Sequence, residues 1–141
     1  MSAVEFMSPE HVTAMNALLR DDPTVRAACA RVPGRRVLAY RLADGPGGRD
    51  VHWTVTVGGT GGTVRFGLDE VPDPDVLVVG EWPRMIRATR ASRDGVEQDP
   101  GCTAEGDTAV LAEIGEALAV ARAVATLPVE FPELPGERHE G

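Results

Sequence analysis

A histidine, a tyrosine and a group of acids are the side chains of this sequence whose types and spacing could carry chemistry. His52 could act as an acid or base beside Tyr40, because an imidazole with a reference pKa near ~6.5 exchanges its proton close to neutrality. It sits in an alternating stretch with the opposite phase to Trp53, which reads instead as a surface position. Asp69, Glu70, Asp73 and Asp75 gather around Pro72 and Pro74. Two carboxylates in a dry cleft could divide acid and base roles. Charges spaced by prolines read rather as a solvated loop.

Other chemistries are argued against by the residues present. The run Gly58-Gly59-Thr60-Gly61-Gly62 joins two alternating segments and does not feed a helix N-terminus, so it reads as a hairpin turn and not as a phosphate loop. His11, His52 and His139 are far apart and no His-Glu-x-x-His spacing occurs, so no metal is expected, and no other cofactor. There is no Gly-x-Ser-x-Gly elbow, and Ser2, Ser8 and Ser92 lie at termini or near a helix end. All 14 basic residues are arginine, which removes lysine Schiff-base and general-base chemistry.

Composition narrows the class further. At 141 residues, with 43% hydrophobic and 26% charged positions, the chain can bury a real core and should fold as one domain. A net charge of −8 repels phosphate backbones, so nucleic acid is not an expected partner. Cys29 and Cys102 have no paired spacing and read as free thiols. Met1 to Met7 lacks the basic segment and apolar run of a secretory signal, and Thr108 to Leu127 is interrupted by Glu113, Glu116 and Arg122. A cytoplasmic location without stable membrane insertion is therefore expected.

The elements that would position a site follow from periodicity. Ser8-Pro9 reads as a helix start, with Val12, Met15 and Leu19 on one face as far as about Arg20. Asp22-Pro23 starts a second helix that continues through Val32 to Pro33-Gly34. Alternation predicts strands over Arg36 to Leu42, from Val51 to Val57 and from Val64 to Leu68, the last two as a hairpin. The unbroken apolar run Val76 to Val79 reads as a strand covered on both faces and ended by Gly80. Trp82, Met85, Ile86 and Thr89 make the apolar side of an arginine-rich helix. A short strand over Cys102 to Ala104 precedes Gly106 and the candidate N-cap Asp107. The last helix presents Val110, Leu111, Ile114, Leu118, Ala121 and Val124 opposite Glu113, Glu116 and Arg122, and Pro128 terminates it.

This order of elements, with Asp75-Val76-Leu77-Val78 before the amphipathic helix, Gly95 after it and Gly106-Asp107 before the final helix, resembles the sterol carrier protein type 2 family over roughly residues 9 to 127. The resemblance implies an α+β fold: a mostly antiparallel sheet of about five strands, helices covering one face, and an apolar cavity between them. Composition sets apart a Pro/Glu-rich tail over 128–141, from which Phe131 and Leu134 could dock on the body, and leaves a domain over 1–127. Two departures stand out. Before the Gly-Asp pair the family carries an apolar strand, where this chain has Glu97-Gln98-Asp99-Pro100, and the end His139-Glu140-Gly141 is no peroxisomal address.

On this resemblance the expected function is binding and carrying a hydrophobic small molecule, a sterol, fatty acyl or polyketide-like compound. Candidate pocket residues, from strand and helix phase, are Tyr40, Trp53, Val55, Phe66, Trp82, Met85, Ile86, Ile114 and Leu118. Low aromatic content, 4%, with much alanine and glycine, leaves room for a void. The rival is an isomerase or cyclase of a hydrophobic natural-product intermediate on the same scaffold, since fold does not decide function. Arginine without lysine suits a GC-rich bacterial genome and a stand-alone domain in secondary metabolism. In a blander reading the cavity is filled and a sheet edge or the arginine-rich helix makes a protein contact or homodimer.

Overall fold

Helix starts follow directly from capping chemistry. In the computed structural model, which describes residues 4–59 and 62–131, the Ser8 hydroxyl accepts the His11 N–H at 3.2 Å and Pro9 takes the first helical position. Asp22 does the same for the second helix, accepting from Thr24 and Val25 at 2.9 and 3.0 Å. In chain order the elements are β1 (Val4–Glu5), α1 (Pro9–Arg20), α2 (Pro23–Cys29), β2 (Arg36–Ala43), β3 (Val51–Gly58), β4 (Thr63–Gly67), β5 (Val76–Glu81), α3 (Trp82–Arg93), β6 (Thr103–Gly106), α4 (Ala109–Val124) and β7 (Val129–Glu130). Helix α2 ends earlier than its apolar stripe predicts: Val32 follows in a turn yet stays buried. Gly80 lies inside β5 and does not end it. Thr108, with no side-chain bond, caps α4 in place of the expected Asp107. Leu134 and His139 lie outside the described residues.

Five strands form a sheet in the order β4-β3-β2-β5-β6. The sheet is mixed, which corrects the expectation of a mostly antiparallel one: β2 and β5 run parallel at its centre, with Leu38 beside Val76 and Tyr40 beside Val78. The cause is the connection after β4. Residues 68–75 do not turn back along the edge; they cross the far face of the sheet, where Val71, Pro72 and Pro74 lie over Ala39, Thr54 and Leu77. β5 therefore begins at the same end as β2. Alternation along a strand carries no record of that direction.

The near face carries Leu38, Val55, Val57, Val64, Val76 and Val78, which pack with α1, α2 and α4 in the main core. A second cluster, Leu42, Trp53, Trp82 and Ile86, seats α3 on the same face. Helix α1 also closes the β4 edge. The Asn16 amide accepts the Phe66 N–H at 2.8 Å and donates to the Phe66 carbonyl at 2.9 Å, so one side chain satisfies both edge groups of that residue. Surface ion pairs, Arg36 with Glu113 at 2.8 Å and Arg31 with Glu116, tie α4 to β2 and to the turn after α2. Solvent screens exposed pairs of this kind, so they orient α4 more than they stabilise it.

The two short motifs of the sequence meet at one junction. The Asp75 carboxylate accepts the Val37 N–H at 2.7 Å, and its own N–H donates to the Val37 carbonyl at 2.9 Å. Its carbonyl accepts the Asp107 N–H at 2.9 Å. Asp75 thus fixes the start of β5 against β2 and the approach to α4 together. The last strand forms despite its polar lead-in, shifted to Thr103–Gly106 from the expected Cys102 to Ala104, with all four residues exposed.

Candidate ligand cleft

A cleft of about 500 Å³ opens between the near face of the sheet and helices α1, α3 and α4. Its floor is Tyr40, Trp53, Val55 and Phe66 from β2, β3 and β4. These are the alternate positions that the pleat turns to one face. Met15, Met85 and Leu118 supply apolar walls from the three helices. The rim is polar, with Arg93, Gln98, Arg122 and Thr126 exposed.

Six of the nine residues singled out by phase therefore line this cleft: Tyr40, Trp53, Val55, Phe66, Met85 and Leu118. Trp82, Ile86 and Ile114 do not; they are packed into the core. Trp82 meets Trp53 edge-on at 5.8 Å, and successive residues such as Met85 and Ile86 diverge by about 100° around a helix, so one turns to the cleft and the other to the sheet. Phase reading passed over His11, Phe6, Arg93 and Arg122. His11 was detectable, since it stands four residues before Met15 on the buried stripe of α1, and Arg122 likewise follows Leu118 by four on α4. Arg122 points to the cleft rim, not away from the apolar face as expected.

His11 is 1% exposed. Its Nδ1 accepts the Met7 N–H at 2.8 Å, which places the proton of the neutral ring on Nε2. Among the described residues Nε2 has no hydrogen-bond partner, and neither has Trp53 Nε1. Burial first, then the Arg93 charge, holds the imidazole below its ordinary pKa. Burial raises the Tyr40 phenol above its ordinary range while Arg122 works against it. Cys29 and Cys102 are free, and burial pushes both thiols up, away from the reactive thiolate.

The neutral His11 has a consequence for stability. Below about pH 6.5 the unfolded chain takes up a proton that the folded protein refuses, so stability falls as pH drops from that point towards the lower folded pKa. The slope from one such group reaches at most about 1.4 kcal/mol per pH unit. Urea unfolding at pH 7.5, 6.5 and 5.5 should show this loss, and His11→Asn, which keeps an acceptor for Met7 and removes the titration, should flatten it. An unchanged pH profile in the variant would show that His11 does not titrate this way.

His52 and the acids lie elsewhere. His52, Arg41, Asp69 and Glu70 border a hollow of about 160 Å³ on the far face of the sheet, under the crossing segment, and Asp75 is committed to backbone groups. Among the described residues no group of three or more His, Cys, Asp or Glu could hold a metal ion, and no helix is long and apolar enough to cross a membrane.

No family model and no curated protein matches the chain. Solved structures do. A crystal structure of sterol carrier protein 2 superposes with a TM-score of 0.54 at 17% identity, covering 86% of this chain and 97% of that one. The solution structure of a conserved hypothetical protein from Thermus thermophilus, suggested to be a sterol carrier protein, superposes at 0.50 with 20% identity, covering 89% and 94%.

Proposed function

We propose, from the premise that this chain has the fold of sterol carrier protein 2, that it binds and carries a hydrophobic small molecule of the sterol, fatty acyl or polyketide-like kind between the sheet and the helices. The observation that carries the reading is the cleft itself: about 500 Å³ with an apolar floor and walls and a polar rim. Ligand pockets for small molecules run from about 300 to 1,000 Å³ and have this polarity. Burying an apolar ligand there gains about 25 cal/mol per Å² and requires no covalent step. Isomerase or cyclase chemistry gains less support, because the basic nitrogen of His11 is already taken by the Met7 N–H. Residue usage without lysine supports a bacterial source for such a carrier.

Native mass spectrometry of the purified protein, followed by solvent extraction, tests the reading. A co-purified lipid, or uptake of added oleate or cholesterol with one molecule per chain, is the expected result. Bare protein that ignores both would overturn it.

A further inference from the structure

Two N–H donors beside the cleft have no acceptor among the described residues: His11 Nε2 and Trp53 Nε1, in side chains 1% and 7% exposed. A buried donor left without a partner costs about 1–3 kcal/mol, and folded proteins keep few of them. Both orphan donors belong to rings that flank Phe6. The Phe6 ring is 5.5 Å from His11 and 5.4 Å, edge to face, from Trp53. It is also 4.9 Å from Phe131, over which the Arg93 guanidinium lies at 5.8 Å. Two donors thus flank Phe6 and a cation lies over the adjoining Phe131 ring; Arg93 Nη1 donates to the Leu127 carbonyl at 2.8 Å, which leaves its other N–H groups for a ligand, and Arg122 adds a second guanidinium at the rim. Among the described lining residues none is acidic, although the chain carries 22 acids and a net charge of −8.

We infer that this end of the cleft is a head-group subsite for the carboxylate of a hydrophobic acid, with His11 Nε2, Trp53 Nε1 and Arg93 as donors and the Phe6 ring as a cover that the head group displaces. The inference rests on the proposal that the cleft holds an apolar ligand and adds which end of it is polar and of what kind. A hydroxyl head group would bring a proton of its own to a set made only of donors, whereas a carboxylate is acceptor-only and has about four acceptor sites. An ester accepts as well but gains no charge-assisted bond from arginine. Neutral His11 supplies a hydrogen without adding a charge that would need a second partner. The cover is held by a short ribbon, β1 beside β7, in which the Phe6 N–H donates to the Glu130 carbonyl at 2.9 Å, so its side chain can swing while that bond stays.

The test compares sodium oleate with methyl oleate, which share a tail and differ in the head, by calorimetric titration at pH 7.5. Oleate should bind about tenfold more tightly, the gain of one charge-assisted hydrogen bond. Arg93→Met should reduce that ratio towards one, and His11→Asn should weaken oleate binding severalfold. In the unaltered protein, the Trp53 indole N–H resonance should shift with oleate, and further than with methyl oleate, a readout that does not depend on any variant folding. Equal affinities with an unmoved indole would overturn the head-group subsite and leave the apolar cleft standing. Failure of both ligands to bind would overturn the subsite, and the carrier reading falls with it only if cholesterol is ignored as well.

Discussion

Gly106→Ala should lower the unfolding free energy by about 3 kcal/mol or more, the sum of a strained backbone and a collision with a carbonyl that cannot move. Gly106 has φ +96°, where a side chain is strained by about 1–3 kcal/mol. A Cβ there would lie 2.7 Å from the Asp75 carbonyl oxygen. That oxygen accepts the Asp107 N–H at 2.9 Å, so shifting it breaks the bond that leads into α4. Gly95 is an internal control: its φ is +80°, with nothing within 4 Å of an added Cβ. Gly95→Ala should therefore show the strain alone. Urea unfolding of the two variants separates the terms, and equal losses would mean that the Asp75 junction tolerates displacement. Asp75→Ala, which strips the Val37 N–H of its acceptor, should cost about 1–3 kcal/mol at the same junction.

Leu118→Trp should weaken binding of oleate or any other apolar probe by at least about tenfold while changing stability by less than about 1 kcal/mol. Leu118 reaches the cleft from α4 and is itself largely buried. In a filled core the larger ring would force neighbours off their rotamers at about 1–3 kcal/mol. Beside a cleft of about 500 Å³ it has space to occupy, and the space it takes is the ligand's. Ala88→Phe, from α3, repeats the test independently. Unfolding measurements and ligand titration on the same samples give the two readouts. Lost stability with unchanged binding would mean that the cleft is not where the ligand sits.

Most of the element order was legible because it is written in local rules. Ser8-Pro9 and Asp22-Pro23 start helices by satisfying backbone donors within four residues, and the alternation of Val51 to Val57 is a property of consecutive residues. The Asp75 and Gly106-Asp107 motifs were visible as a resemblance, but their reason was not: a carboxylate and a glycine 31 positions apart serve the same backbone junction. The direction of β5 escaped as well, because it depends on which face residues 68–75 cross, and no local pattern reports that.

The cleft divides along the same line. Strand phase determined which residues share a sheet face, so Tyr40, Trp53, Val55 and Phe66 could be grouped from alternation alone. Helix phase determined a broad apolar side for α3 and α4, but such a side spans more than one neighbour, and only packing decided that Met85 and Leu118 border the cleft while Ile86 and Ile114 fill the core. Tertiary structure alone brought the stretch holding Phe6 and His11 together with Trp53, Arg93 and Phe131, four separate segments in all. Sequence determines which side chains can face inward, because periodicity is local. What they meet there, and which polar groups are left without a partner, depends on contacts between distant segments, which exist only once the chain has folded.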